Sequence, residues 1–344
     1  MATVNTNKPQ LIAFGELMLR LQCNAGKRFL QSTSYDTYYG GAEANVCVLL
    51  SRLGVNADFV TRMPANDIAL AALQQLRSHA VGAENIVYGG DKLGIYFTEA
   101  GNAMRSSRVI YDRAGSSYAT LQPGMIDWKN ILKGVQYFHW SGIAAAVSQG
   151  AADVCAEALQ AAHENGVTIS ADFNHRSTLW KYGKQPNEIM PGLLQNSEIV
   201  VADLDAAFVY YGITTDKQAS TQEQFKQCAA ALLQKMPRMQ SLAMSFRRAT
   251  GLTHHYSGAL MYKGQYYFTD DFQLPFITDQ IGSGDAFTAG MLYGIIHSLD
   301  PQTIITFATG CGALKQSIAG DWAIITKEEV EQFIQNGTSG RIIR

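Results

Sequence analysis

One segment of the chain could do chemistry with very few residues: Asp279-Gln280-Ile281-Gly282-Ser283-Gly284-Asp285-Ala286-Phe287. A glycine-rich turn that opens straight into a helix presents unpaired backbone amides, and such amides attract anions. Gly282 and Gly284 remove the side chains that would keep a phosphate away, and Asp285 sets a carboxylate beside the donors. The combination suits phosphoryl transfer. The amides around Ser283 can hold the charge that builds on γ-phosphoryl oxygens, while the carboxylate accepts a proton from an attacking hydroxyl. A plainer role is open to the same residues, with Asp285 complementing the helix dipole and the glycines making a turn. The pattern G-x-x-x-x-G-K-[ST] is absent, and Phe287 occupies the last position of G-x-G-x-x-G, which disfavours dinucleotide binding.

The elements that must position this turn alternate along the chain. The apolar run at 11–14 reads as a buried strand, 58–63, 135–140, 167–173, 198–202 and 241–246 read as further strands, and 42–53, 68–79, 151–165 and 222–234 read as helices between them. Gly54 and Gly166 stand where such helices stop. Repeated strand-helix units predict an α/β fold, a doubly wound and mostly parallel sheet with helices on both faces. Two stretches, 17–39 and 93–113, break the rhythm with short β-rich pieces and read as a small β-sheet lid. Residues 258–268 read as a hairpin turning at Lys263-Gly264, followed by helices at 286–298, 301–318 and 327–335. Without repeat or linker, 1–344 is expected to be a single domain carrying its lid.

Composition narrows the partners. With 27 Lys+Arg against 29 Asp+Glu and no block of like charge, neither a nucleic-acid nor a membrane surface is expected. Apolar runs such as 46–50 and 143–147 are far too short to span a bilayer, and 2–10 lacks a signal-peptide core, so a cytoplasmic location is expected. Cys23, Cys47, Cys155, Cys228 and Cys311 are scattered without a C-x-x-C pair and read as reduced thiols. His254 and His255 are neighbours that a strand would point to opposite faces, which argues against a shared metal.

The glycine segment resembles the signature D-x-x-G-x-G-D-[AS]-F of the ribokinase-like (PfkB) carbohydrate kinases, and Gly40-Gly41-Ala42-Glu43-Ala44-Asn45 before Leu53-Gly54 is similar to that family's N-terminal motif. The resemblance implies a ribokinase-like fold using ATP and Mg2+, with Asp285 as base and the amides of Gly282, Ser283 and Gly284 as anion hole. It also implies that Gly40, Gly41 and Asn45 face the sugar and that Arg247 and Asp279 lie on the nucleotide side. For the glycine pair alone, a tight turn before a helix is the competing account. Further segments resemble the branch acting on 2-keto-3-deoxygluconate: Gly15 through Arg20, Val109 through Ser116, Asp172 through Arg176 with Leu179-Trp180, and 339–344.

A sugar acid brings a carboxylate, and an arginine fork binds one in two places. By this resemblance Arg113, with Tyr96 and Tyr111, would reach the acid from the lid, and Arg176 from beyond the strand carrying Asp172. Either arginine could instead be an ordinary surface residue. The family's N-x-x-E motif, which organises magnesium, has no clear counterpart at Val201 through Ala206; Asp203 and Asp205 remain as candidate ligands or as helix-capping residues. Lid pairing between subunits, common in the family, makes a homodimer or larger assembly the expectation.

Overall fold

Leu11–Phe14 is apolar and buried on both faces, as a central strand of a parallel sheet must be. Leu11 and Ala13 join one hydrophobic cluster and Ile12 and Phe14 the other, the alternation that a strand imposes. The computed structural model describes residues 9–101, 105–251 and 253–337. Among these, the large sheet runs in the order Gln265–Phe268, Thr253–Tyr262, Ser241–Thr250, Ile199–Val201, Thr168–Asp172, Tyr137–Ser141, Leu11–Phe14 and Ala57–Val60. From Ser241–Thr250 to Ala57–Val60 every neighbouring pair is parallel, and an antiparallel hairpin closes the other edge.

Strand order reverses around Leu11–Phe14, which pairs with Ala57–Val60 on one side and Tyr137–Ser141 on the other. In doubly wound sheets the crevice beyond the carboxyl ends at such a reversal is where ligands bind. Glu16, Ser141, Asp172 and Asp203 lie at or just past those ends. Helices Ala42–Arg52, Ser283–Ile296 and Pro301–Lys315 pack into one cluster, and Gln149–Glu164 and Thr221–Lys235 into the other. The sheet is therefore covered on both faces, as expected.

The expected small β-sheet is present, separate from the large one and ordered Tyr35–Gly40, Met18–Cys23, Gly94–Glu99 and Arg108–Asp112. Met18–Cys23 follows directly on the Gly15-Glu16-Leu17 exit from the central sheet, so the small sheet rises from the crevice itself. The hairpin turn falls at Lys263 and Gly264, both with positive φ (48° and 80°). Ser241–Thr250 pairs with Thr253–Tyr262 throughout, so the strand runs beyond the 241–246 expected and carries Arg247. Helices Gly142–Ala146, Pro186–Leu194 and Leu204–Tyr211 were not anticipated; the first is five residues long and the second contains Pro191 and Gly192, which read as breakers. Segment 339–344 lies outside the described residues. Among the described residues no helix is long and apolar enough to cross a membrane.

Candidate active site

The glycine turn is held from below. Thr278 and Asp279 donate their amides to the Gln316 carbonyl at 2.8 and 3.2 Å, and the Asp279 carboxylate accepts from the amides of Ile281 (3.0 Å) and Gly320 (3.1 Å). Gly282 then takes φ 83°, and a Cβ there would lie 1.9 Å from the Asp321 carbonyl oxygen, so both its conformation and its crowding demand glycine. The helix Ser283–Ile296 begins at the next residue. Ser283 turns its hydroxyl down onto the Gln280 carbonyl (2.9 Å) and accepts a hydrogen bond from the Arg247 guanidinium. Gly284 and Asp285 sit in the first turn, where amides have no intrahelical partner, and nothing lies within 4 Å of where a Gly284 Cβ would be. The Ser283 amide, expected in the anion hole, is instead taken by the Gln280 carbonyl at 3.2 Å, which leaves the Gly284 and Asp285 amides as the donors of the turn.

Asp285 is half-buried, and Asn45 donates its amide Nδ2 to the carboxylate at 2.6 Å. Asn45 is fixed in turn because its Oδ1 accepts at 3.3 Å from the amide of Gly41, the N-cap of Ala42–Arg52. Gly41 packs so tightly on the exit of the first strand that a Cβ would come within 1.9 Å of the Glu16 carbonyl oxygen. That close approach explains its glycine. Burial pushes the Asp285 carboxyl up to about 6, against the opposing pull of the Asn45 hydrogen bond and the Arg176 charge.

Two more acids share this low-dielectric region. Glu43 accepts from the Ser141 hydroxyl, and burial pushes it up to about 7, with the charge of Asp285 adding to the rise. Asp172 is raised well above the ordinary carboxylate range by burial and then by Asp285, with Arg176 pulling the other way. Mutual repulsion couples their titration.

The lid supplies aromatic and cationic groups. Tyr96 and Tyr111 stack at 5.7 Å, and the Arg113 guanidinium lies 5.7 Å from the Tyr111 ring centre. Arg113 is ion-paired to Glu16, which also accepts from Ser116, while the buried Nε of Arg113 has no hydrogen-bond partner among the described residues. Arg176 is exposed, donates to the His175 carbonyl at 3.1 Å, and is near enough for its charge to act on both Asp172 and Asp285.

Other anticipated residues are occupied differently. Asp279 pairs with Arg20 at 2.7 Å, and the Tyr96 hydroxyl bonds to Asp321, so both brace the turn. Asp203 caps Leu204–Tyr211 by accepting from the Ala206 amide at 2.6 Å, and Asp205 is exposed in the same first turn. Among the described residues no group of three His, Cys, Asp or Glu could hold a metal ion by itself. Sequence reasoning missed Arg20, Lys315 and Asp321. Arg20 carried a signal, a charge at an inward position of Met18–Cys23, whereas Lys315 at the end of an apolar helix reads as an ordinary basic C-terminal residue.

Residues 8–321 match the pfkB family of carbohydrate kinases. A 2-dehydro-3-deoxygalactonokinase from Haloferax volcanii is 30% identical over 333 residues, covering 96% of this chain and 98% of that protein. The crystal structure of 2-dehydro-3-deoxygluconokinase from Thermotoga maritima superposes with a TM-score of 0.90 at 32% identity, covering 94% of this chain and 99% of that one. A Xylella fastidiosa fructokinase solved with bound ATP shares the fold at a TM-score of 0.77 and 20% identity, covering 95% and 98%. With the glycine turn at a sheet reversal and a β lid above it, the chain is a pfkB family carbohydrate kinase, similar to the 2-dehydro-3-deoxygluconokinases.

Proposed function

We propose that the protein transfers the γ-phosphoryl group of ATP to the C6 hydroxyl of a 2-keto-3-deoxy sugar acid, 2-keto-3-deoxygluconate first among them. One observation carries the reading: Asp285 stands beside the open backbone of Gly284 at a helix start, oriented by Asn45. The C6 oxygen attacks phosphorus, the bond from phosphorus to the bridging oxygen of ADP breaks, and Asp285 takes the hydroxyl proton. Amides of the turn balance the charge gathering on the transferred group. The lid keeps water from competing as acceptor.

Magnesium, when bound with the nucleotide, neutralises phosphate charge. It commonly keeps several waters and takes one or two carboxylates besides phosphate oxygens. Asp203 fits that demand better than Asp205, because its charge acts on Asp172 and His175 across the crevice.

The Haloferax and Thermotoga relatives are named for keto-deoxy sugar acids, which supports Arg113 and Arg176 as partners of the substrate carboxylate. The ion pair of Arg113 with Glu16 favours a second reading, a neutral-sugar acceptor, since that guanidinium is already partly neutralised. Replacing Arg113 and Arg176 together with methionine is expected to raise KM for the sugar acid by about 10²-fold or more and leave KM for fructose or ribose within about threefold, as loss of charged hydrogen bonds should. Steady-state assays of ADP release with each acceptor measure this, and an unchanged preference would restore the neutral sugars.

A base that must be ionised also sets the pH profile. Turnover is expected to rise with pH through an apparent pKa near 6 and level off above it, because Asp285 accepts a proton only after losing its own. A rate independent of pH between 5 and 8 at saturating substrates would contradict this. The lid strand Arg108–Asp112, with Val109, Ile110 and Tyr111 exposed on its edge, supports a homodimer closed by lid pairing.

A further inference from the structure

Lys315 is fully buried, with 0% of its surface accessible, at the end of the apolar helix Pro301–Lys315. An ammonium in such surroundings is costly unless its donors are taken. Its Nζ donates to the backbone carbonyls of Asp279 at 3.2 Å and Ile318 at 3.0 Å. The first carbonyl belongs to the residue that opens the glycine turn; the second lies two residues before Gly320, whose amide returns to the Asp279 carboxylate. Lys315 therefore joins two backbone segments that otherwise meet through Asp279 and the Gln316 carbonyl. Asp279 and Asp321 lie near enough to act electrostatically on the ammonium, and Arg20 bonds both of those carboxylates from the lid side. Two cations and two acids interlock beneath the turn.

We infer that Lys315 is a positioning residue for phosphoryl transfer: its ammonium fixes the Asp279 backbone, and through it the spacing of the Gly284 and Asp285 amides and the Asp285 carboxylate. This rests on the reading of that turn as the phosphate-binding element. A lysine that only filled the core would affect stability and leave the chemical step alone. A lysine that sets the turn affects kcat, because misplacing reacting groups by about an ångström costs about 10²-fold in rate.

The experiment compares Lys315→Met, Lys315→Ala and Asp285→Asn in an ADP-release assay with 2-keto-3-deoxygluconate. Lys315→Met keeps the length and deletes the donors; kcat is expected to fall about 10²-fold while the sugar KM stays within about threefold. In Lys315→Ala, n-propylammonium matches the missing atoms and is expected to restore kcat saturably, whereas propan-1-ol is not. Should the methionine variant fail to fold, Lys315→Gln, which keeps a neutral donor, takes its place with the same expectation. A folded methionine or glutamine variant at wild-type kcat overturns the inference, as does an alanine variant that no amine restores. Loss of rate in Asp285→Asn beside a normal Lys315 variant removes this inference alone; normal turnover in Asp285→Asn removes the reading of the turn, and the inference with it.

Discussion

Replacing Arg20 with methionine is expected to cost about 3–5 kcal/mol of folding stability, the effect of deleting one partner from a buried ion pair. Arg20 is only 2% exposed, and its guanidinium bonds Asp279 at 2.7 Å, Asp321 at 3.1 Å and Thr98 at 3.1 Å. Removing it leaves two carboxylates under the glycine turn facing each other without a fork between them. Burial already holds Asp321 above the usual carboxylate range, with Arg20 the main influence pulling it down. In the variant that opposition is gone, so Asp321 binds a proton more tightly folded than unfolded. A group raised in the folded state loses stability as pH rises through its folded pKa, so the deficit is expected to be larger at pH 8 than at pH 5. Urea unfolding at both pH values measures it. A loss under about 1 kcal/mol at pH 8 would mean that the cluster behaves like a solvated surface pair.

Much of the scaffold is legible in the chain because local rules decide it. The runs at Leu11–Phe14 and Ile199–Val201 are short and apolar, as strands covered on both faces must be, and Lys263-Gly264 carries its own turn. Asp285 and its glycines are legible for the same reason: the donors, the open space and the acid come from one short segment. What the sequence conceals is pairing across distance. Arg20 meets Asp279 and Asp321 from 259 and 301 residues away, and only the lid's placement over the turn makes them neighbours. Arg113 is an arginine in the expected place, yet its Glu16 partner lies 97 residues upstream, so its charge balance is invisible before folding. Asp203 shows the opposite difficulty, since one carboxylate at a helix start serves equally as a cap and as a ligand, and the cap is visible in its bond to Ala206.

Asp285→Asn is expected to lower kcat by about 10²–10⁴-fold, the contribution of a positioned general base. The change is nearly isosteric, and the introduced amide keeps one oxygen that can still accept from Asn45 Nδ2. The turn and the sugar pocket should therefore persist, with basicity the property removed. Turnover and affinity then separate, as they do when an interaction exists only in the transition state. The acid limb near pH 6 is expected to vanish with the carboxyl that produces it.

The decisive measurement is ADP release by the purified Asp285→Asn protein at saturating Mg-ATP and 2-keto-3-deoxygluconate, with calorimetry of sugar binding on the same sample. A collapsed rate with retained sugar binding is the expected result. Turnover close to that of the unmodified protein would show that the proton leaves by another route, and that Asp285 only closes the start of its helix.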